Sequence, residues 1–527
     1  MTKRLSGKSV LRQTFSVGAT TMLSQCLGFI RETLLARYLG VSAAADAFNA
    51  AWQIPNSLRK IFAEGALSAA FIPTLVGVAK HDGKLQVSRV VTLAIVIIEA
   101  ILITLCIIMS FGSGWIMGIM APGWANCTDP AGQCTMAAHF FRILIFFIVF
   151  VSTSSLLACA LQAVNYFSML AIAQVLTNIL LVGQLWLCTT YDLSLTTYAW
   201  FLVANGLVIV LFNVAMYFRQ GMTFAMPNER TGPSVIKALG KFFPCIFVFG
   251  AVEISLIIDR MLASYLPVGS ISLLMYTYAF ARIPLRAFAG VFSMILLPQF
   301  SRVSTYAPHR LSFYLLESAK FIFWVTVPAA LLLSAFSYKL FYTSLLNDRF
   351  PLESVYEAHI LLNLFSIAIF FLALEKIILN IFYSLHATKM PTVITLIGAA
   401  INTVLNIAFM FRWGVRGLIV ATVIAIIAKF VIFLVTLNRQ FGFTIYVKPF
   451  GNFVLRYSIQ LVLAGALLYG LHTGMTSIIL QLPEPLSYAL LWRFAYWFWV
   501  GPLCAGVAFL VYATRHLFGI RLYFFHK

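Results

Sequence analysis

Charge is scarce in this chain, and acidic charge is scarcest: 16 aspartates and glutamates stand against 36 lysines and arginines in 527 residues. Only 10% of residues are charged, while 61% are hydrophobic and the mean hydropathy is +0.94. Soluble domains hold roughly 45–50% apolar residues, so a water-soluble globular protein is excluded. Cysteine is sparse too. The eight cysteines sit mostly alone in apolar stretches, where they act as small hydrophobes rather than a disulfide scaffold. Cys127 and Cys134 differ: both fall in a loop expected on the non-cytoplasmic side, where a disulfide between them is a candidate.

Catalytic signatures are also lacking. His81, His139, His309, His359, His386, His472, His516 and His526 are scattered without metal-ligand spacing, and no glycine-flanked serine nucleophile occurs. Gly7-Lys8-Ser9 imitates the end of a phosphate loop, but Thr2 stands where the upstream glycine belongs and no strand precedes it. ATP is not expected as a direct fuel, and the chain reads as a transporter rather than an enzyme.

What is present is long apolar runs such as Val90 to Ile98 and Leu461 to Leu471. Barrel strands alternate apolar and polar residues over about ten positions; these runs do not, which points to membrane helices. Windows of about twenty apolar residues give fourteen spans: 12 to 37, 46 to 78, 88 to 119, 136 to 160, 164 to 189, 193 to 219, 236 to 265, 270 to 301, 311 to 337, 355 to 383, 390 to 412, 415 to 438, 452 to 474 and 487 to 516. The longest polar stretch, Arg219 to Lys241, divides the first twelve into six and six. The expected fold is an all-α polytopic membrane protein with lobes at 1–220 and 221–440 and a further helix pair at 441–527. Duplication of this kind is common in transporters.

Lysines and arginines set the orientation. Lys3, Arg4, Lys8, Arg12, Lys80, Lys84, Arg89, the 219 to 241 linker, Arg302, Arg310, Lys389, Arg439, Lys448, Arg515, Arg521 and Lys527 all fall on one side of this layout. That side is expected to be cytoplasmic, with both termini inside. The opposite loops carry mainly Lys339 and Arg349. The formal charge of +20 is therefore largely a topology signal, and nucleic acid is not an expected partner. The first basic segment imitates a signal peptide, but its apolar run carries Arg31 and is expected to stay as a helix.

Several ionisable residues interrupt or border the spans, each at roughly 2.5–3.5 kcal/mol even on a lenient scale, which favours a water-filled interior over lipid. In the second span Asp46, Asn49, Gln53, Asn56, Lys60 and Glu64 recur every three or four residues and form one polar stripe, with Arg59 beside it and Pro55 inside it. The stripe is read as a cavity wall, with a polar seam between packed helices as the alternative. Arg31 and Glu32 lie in the first span. Glu253 and Arg260 share a face of the seventh, beside Asp259, and Arg282 and Arg286 flank Pro284 in the eighth. Guanidinium groups at several places suggest an anionic ligand, because their forks match phosphate oxygens; internal pairing, Arg31 with Glu32 or Arg260 with Asp259, is the alternative.

Three stretches carry a resemblance: Leu27-Gly28-Phe29-Ile30-Arg31-Glu32, Ala45-Asp46-Ala47-Phe48, and the run from Ile54-Pro55-Asn56-Ser57-Leu58-Arg59-Lys60 through Glu64-Gly65-Ala66-Leu67-Ser68 to Pro73. Together they resemble the N-terminal signature of the MurJ (MviN) lipid II flippases, within the multidrug and polysaccharide-lipid exporter superfamily. The likeness continues through Ile254-Ser255-Leu256-Ile257-Ile258-Asp259-Arg260 and Ile295-Leu296-Leu297-Pro298.

The resemblance implies two six-helix lobes in a V around a cationic cavity, a C-terminal helix pair forming a groove for a polyprenyl tail, and a monomeric transport unit in the bacterial cytoplasmic membrane. The implied cargo is lipid II, the undecaprenyl-pyrophosphate-linked disaccharide-pentapeptide of peptidoglycan synthesis. Arg31 and Arg260 would contact the pyrophosphate, Glu32 would orient them, and Asp46 and Arg59 would line the cavity with Lys60. The sequence departs from the family at Gln25, where many relatives have arginine, and at Tyr278-Ala279, which replaces an Asp-Arg pair; Arg282 and Arg286 are candidates to supply the lost cation. Some relatives hold sodium where this chain has Asn402, Asn406 and Thr422, but Asn406 stands in place of a carboxylate. No cofactor is expected; the membrane potential or a monovalent ion would give direction. An exporter of another polyprenyl-linked glycan or of amphipathic drugs, or a non-transporting assembly scaffold, are the other readings.

Overall fold

The computed structural model describes residues 7–125, 132–164, 166, 168–385, 387 and 389–523, and among them the architecture is helical throughout, with a single isolated β-bridge at Asn347 and Phe350. Cys127 lies outside the described residues, and with it the expected pairing to Cys134. Among the described residues nine helices are long and apolar enough to cross a membrane, or ten if a bent pair is taken as one span. The chain is thus a multi-pass membrane protein, while fourteen spans are not counted by length and composition alone.

Two compact units are formed, one up to Met275 and one from Tyr276. The first contains α1 (Gly7–Leu39), α2 (Ala43–Arg59), α3 (Leu67–His81), α4 (Gly83–Phe111), α5 (Ser113–Met120), α6 (Pro122–Ala125), α7 (Gln133–Leu144), α8 (Phe147–Ala163), α9 (Ser168–Thr190), α10 (Leu195–Arg219), α11 (Thr231–Ala263) and the start of α12 (Ser270–Pro284). The helix after the long linker therefore packs with those before it. The Ser42 hydroxyl starts α2 by accepting from the Ala45 N–H at 3.1 Å, relieving one of the donors that every helix start leaves open. Pro55 sits inside α2, and a π-helical turn, Lys60–Ala66, joins it to α3.

The second unit continues α12 through another π-helical turn, Leu285–Gly290, into α13 (Val291–Tyr306). It then holds α14 (Leu311–Ala335), α15 (Ser337–Leu345), α16 (Leu352–Ser366), α17 (Ala368–Ser384), α18 (Lys389–Phe441), α19 (Val447–Ile479), α20 (Glu484–Trp492) and α21 (Tyr496–Thr514). The pair α16 and α17 bends by 44°. Helix α18 is broken at Gly414, whose φ of 57° and ψ of −137° are not helical. This break lies between the expected spans at 390 to 412 and 415 to 438. Glycine permits that backbone because it lacks a Cβ.

Ile369, Ala373, Ile377 and Ile381, one turn apart on α17, form the centre of the second unit's core with Leu311, Leu315 and Ile322 of α14 and Phe433 and Leu437 of α18. Surrounded by lipid, such helices gain little from leaving solvent, so close packing and interhelical hydrogen bonds hold them. The C-terminal pair shows both: Tyr457 of α19 donates to the Trp324 carbonyl of α14 at 2.7 Å, and the Gln460 amide donates to Val511 O and Thr514 Oγ1 of α21, each at 2.8 Å.

Candidate substrate-binding site

The polar stripe of α2 forms, but its upper half is sealed. Asp46, Asn49 and Gln53 are only 2%, 1% and 1% exposed, which corrects their expected place on a water-facing wall. The Asp46 carboxylate accepts from the backbone N–H groups of Gly269 and Ser272 at 2.6 and 2.8 Å and from the Ser272 hydroxyl at 2.6 Å. It caps α12 from a different helix, where a negative charge meets the positive end of the helix dipole. These donors belong to Gly269 and Ser272. Asn49 adds a bond to Ser272 Oγ at 3.1 Å.

Lower down, the stripe meets α11. Gln53 donates to Ser57 Oγ, Ser57 donates to Glu253 Oε2 at 2.8 Å, and Lys60 donates to both Glu253 oxygens at 2.9 Å. Glu253 and Asp259 are buried as well, so neither lines open water here. The seam is the alternative that spacing left open: a helical period identifies a face and leaves its covering unknown. Asn56, Arg59 and Lys60, on the last turn of α2 and the start of the π-helical turn, are half-buried, and Arg59 donates to Asn56 Oδ1 at 3.2 Å. The side chain of Glu64 lies outside the described ones.

On α1, Arg31 and Glu32 form the ion pair that the sequence allowed, at 2.6 Å, both partly exposed. The same guanidinium donates to Asn178 Oδ1 of α9 at 3.2 Å, while the Asn178 amide donates to Ser24. Asn178 was not singled out in the sequence, although an asparagine inside an apolar span is a signal of this kind. Gln25 is exposed on the same helix. Arg260 on α11 is half-buried.

In the first unit the named cations Arg31, Arg59, Lys60 and Arg260 are matched by the acids Glu32, Asp46, Glu253 and Asp259. The second unit holds a further group of cations. Arg282 ends its part of α12, Arg286 lies in the π-helical turn after Pro284, and Lys376 of α17 is within electrostatic reach of both. Arg282 and Arg286 are half-buried and Lys376 is exposed. The neighbouring acid, Glu375, is 2.8 Å from Lys429 of α18. Lys376 is thus within electrostatic reach of Arg282, Arg286 and Glu375, and Glu375 also pairs with Lys429. Lys376 was missed in the sequence because it follows Glu375 and the two charges cancel on reading.

Asn402 and Thr422 also come together, with Thr422 Oγ1 3.4 Å from Asn402 Oδ1 and from the Tyr278 hydroxyl; Asn406 is fully buried on the same helix. These are neutral donors with no carboxylate among them, a poor match for a resident sodium ion.

The sequence profile of the lipid II flippase MurJ family matches residues 35–483. A relative from Vibrio cholerae described as a probable lipid II flippase MurJ is 27% identical over 485 residues, covering 89% of this chain and 90% of its own. A lipid II flippase MurJ from Burkholderia cenocepacia is 28% identical, covering 88% and 89%. Among solved structures, a lipid II flippase MurJ in an inward closed conformation is similar with a TM-score of 0.76 at 20% identity, covering 96% of this chain and 99% of that one. An inward-facing multidrug resistance MATE family transporter of the MOP superfamily gives 0.67 at 12% identity over 81% of this chain and 98% of its own.

Proposed function

The chain belongs to the lipid II flippase MurJ family, and from that premise we propose that it moves lipid II from the cytoplasmic to the outer leaflet of the bacterial cytoplasmic membrane by alternating access. The observation that supports this reading furthest is the grouping of Arg282 and Arg286 within electrostatic reach of Lys376 in the second unit. A pyrophosphate crossing bare hydrocarbon would lose its hydration; fixed guanidinium and ammonium donors replace that water. The polyprenyl tail needs no such help and stays in lipid. We assign the tail groove to the helix pair at 441–527 and the two transport lobes to 1–220 and 221–440.

Arg282 and Arg286 then supply the charge that Tyr278-Ala279 removes from the family pattern, with Lys376 as a third contact. Within the first unit, Arg31, oriented by Glu32 and Asn178, and Arg59, Lys60 and Arg260 are further candidate donors. Lys60 keeps charge where relatives have arginine but gives up the planar fork. A membrane potential positive outside favours outward movement of negative charge by about 2.3 kcal/mol per charge per 100 mV, which supplies direction without ATP. Both termini are placed in the cytoplasm.

The test is binding of purified protein to lipid II, set against undecaprenyl phosphate and an unrelated glycolipid. Preference for lipid II, weakened at least tenfold by the combined Arg282→Gln, Arg286→Gln and Lys376→Gln changes, supports the reading. Equal binding of all three lipids, or binding unaffected by the triple change, contradicts it.

A further inference from the structure

The acid inside α4 plays no part in the account above. Glu99 is 8% exposed, in the middle of one of the most apolar helices of the chain. Its Oε1 meets two hydroxyls of α8: Thr153 Oγ1 donates to it at 2.8 Å, and Ser152 Oγ lies in close contact with the same oxygen. The other carboxyl oxygen, Oε2, is buried without a hydrogen-bond partner. No lysine, arginine or histidine among the described residues pairs with it. Helices α3, α5, α7, α8 and α11 pack against α4, and Arg142 of α7 donates to Ser113 Oγ. Among the described residues, Cys106, two turns along the same helix, is within electrostatic reach of Glu99.

An ionised carboxylate needs donors at both oxygens or a nearby cation. This site offers donors to one oxygen and no cation. It accommodates the neutral acid better, because Ser152 Oγ also lies 2.9 Å from the Val149 carbonyl. With its hydrogen turned to Val149 O, Ser152 is free to accept a hydrogen bond from a protonated Oε1. With that hydrogen turned to Glu99, Ser152 and Thr153 both donate to the carboxylate. Rotation of one hydroxyl thus matches either protonation state, but only the arrival of water satisfies Oε2 in the charged one.

We propose that Glu99 is a proton-binding site on the α4–α8 seam. It holds its proton while the two helices are closed and releases it to water, as a hydrated proton, when the seam opens to Oε2. The oxygen–hydrogen bond of the carboxyl breaks, its electron pair stays on the carboxylate, and the return step reverses this. The site is separate from the cations assigned to the cargo and does not depend on that assignment.

The experiment uses the full chain in lipid nanodiscs. Infrared difference spectra between wild type and Glu99→Gln, at neutral pH in water and deuterium oxide, read the protonated-carboxyl carbonyl band. In parallel, dicyclohexylcarbodiimide, an apolar reagent whose C=N bond takes up a protonated carboxyl, the oxygen bonding to carbon and the proton passing to nitrogen, is reacted with wild type alone and its position mapped by peptide mass spectrometry. Loss of a deuterium-sensitive carboxyl band in Glu99→Gln, with labelling at Glu99 that falls as pH rises, is the expected result. Loss of a carboxylate band instead, or no labelling at Glu99 in wild type, overturns the proposal. Suppression of labelling by sodium chloride but not by choline chloride at equal ionic strength would make the site one for sodium and overturn it too. The labelling arm needs no variant, so a misfolded Glu99→Gln leaves the proposal open to refutation.

Discussion

Lys60 Nζ sits 2.9 Å from both carboxylate oxygens of Glu253, tying the π-helical turn after α2 to the middle of α11 across 193 residues of sequence. Glu253 is buried and also accepts from Ser57. Breaking such a pair from one side leaves an uncompensated charge, at a cost of roughly 3–5 kcal/mol for a fully buried pair and less where the lysine is partly exposed. Lys60→Met should therefore destabilise the protein by about 2 kcal/mol, and adding Glu253→Gln should recover part of the loss. Thermal unfolding of the two single variants and the double variant in detergent measures the coupling; additive effects would show that the pair does not interact.

The Asp46 cap makes a second prediction. Removing its carboxylate strands three donors of Gly269 and Ser272, so Asp46→Ala should cost about 2 kcal/mol. Ser272→Ala removes only the hydroxyl and should cost less. Gly269 itself has a φ of +93°, and a Cβ there would lie 2.2 Å from Val41 Cγ1. Gly269→Ala should thus displace the loop that Asp46 caps and lower the melting temperature, while the same change at Gly232, where a Cβ meets open space, should not. Equal melting temperatures for the two alanine variants would refute the cap.

Much of this was legible in the sequence, and what was not has a physical reason. Apolar runs identified the helical membrane class, and the break at Gly414 falls between two expected spans. The α2 stripe was also legible as a stripe. Its covering was not, because Ser272 and Glu253 come from helices nearly two hundred residues or more away, and periodicity carries no information about a partner. Glu99 escaped notice because it is a single acid ending the uncharged run from Val90 to Ile98. The alternative pairing of Arg31 with Glu32 is realised, yet Asn178, its second partner, was hidden in an apolar span.

Lys339 gives a pH dependence. Outside the spans, its ammonium stands 3.2 Å from the centre of the Trp492 ring and donates to Leu491 O at 3.0 Å, clasping α15 to the short helix α20. Burial pushes its pKa down to about 8 from an ordinary 10.5. Between those values the unfolded chain holds a proton that the folded chain has released, so stability contributed by this group rises with pH across that window and is lowest below about pH 8. Unfolding of wild type and Lys339→Met from pH 7 to pH 10.5 should show the difference between them moving in favour of wild type as pH rises. A constant difference would refute the shift.

The central claim is that cations of this chain carry the pyrophosphate of lipid II across the membrane. Its most direct measurement is the exposure of lipid II headgroups on the outer surface of cells that depend on this protein, read with a membrane-impermeant headgroup-cleaving or labelling reagent. With Arg282→Gln, Arg286→Gln and Lys376→Gln combined, and protein level and helical content matching wild type, exposure should fall at least tenfold. Unchanged exposure in that variant, or after depletion of the protein, would contradict the account.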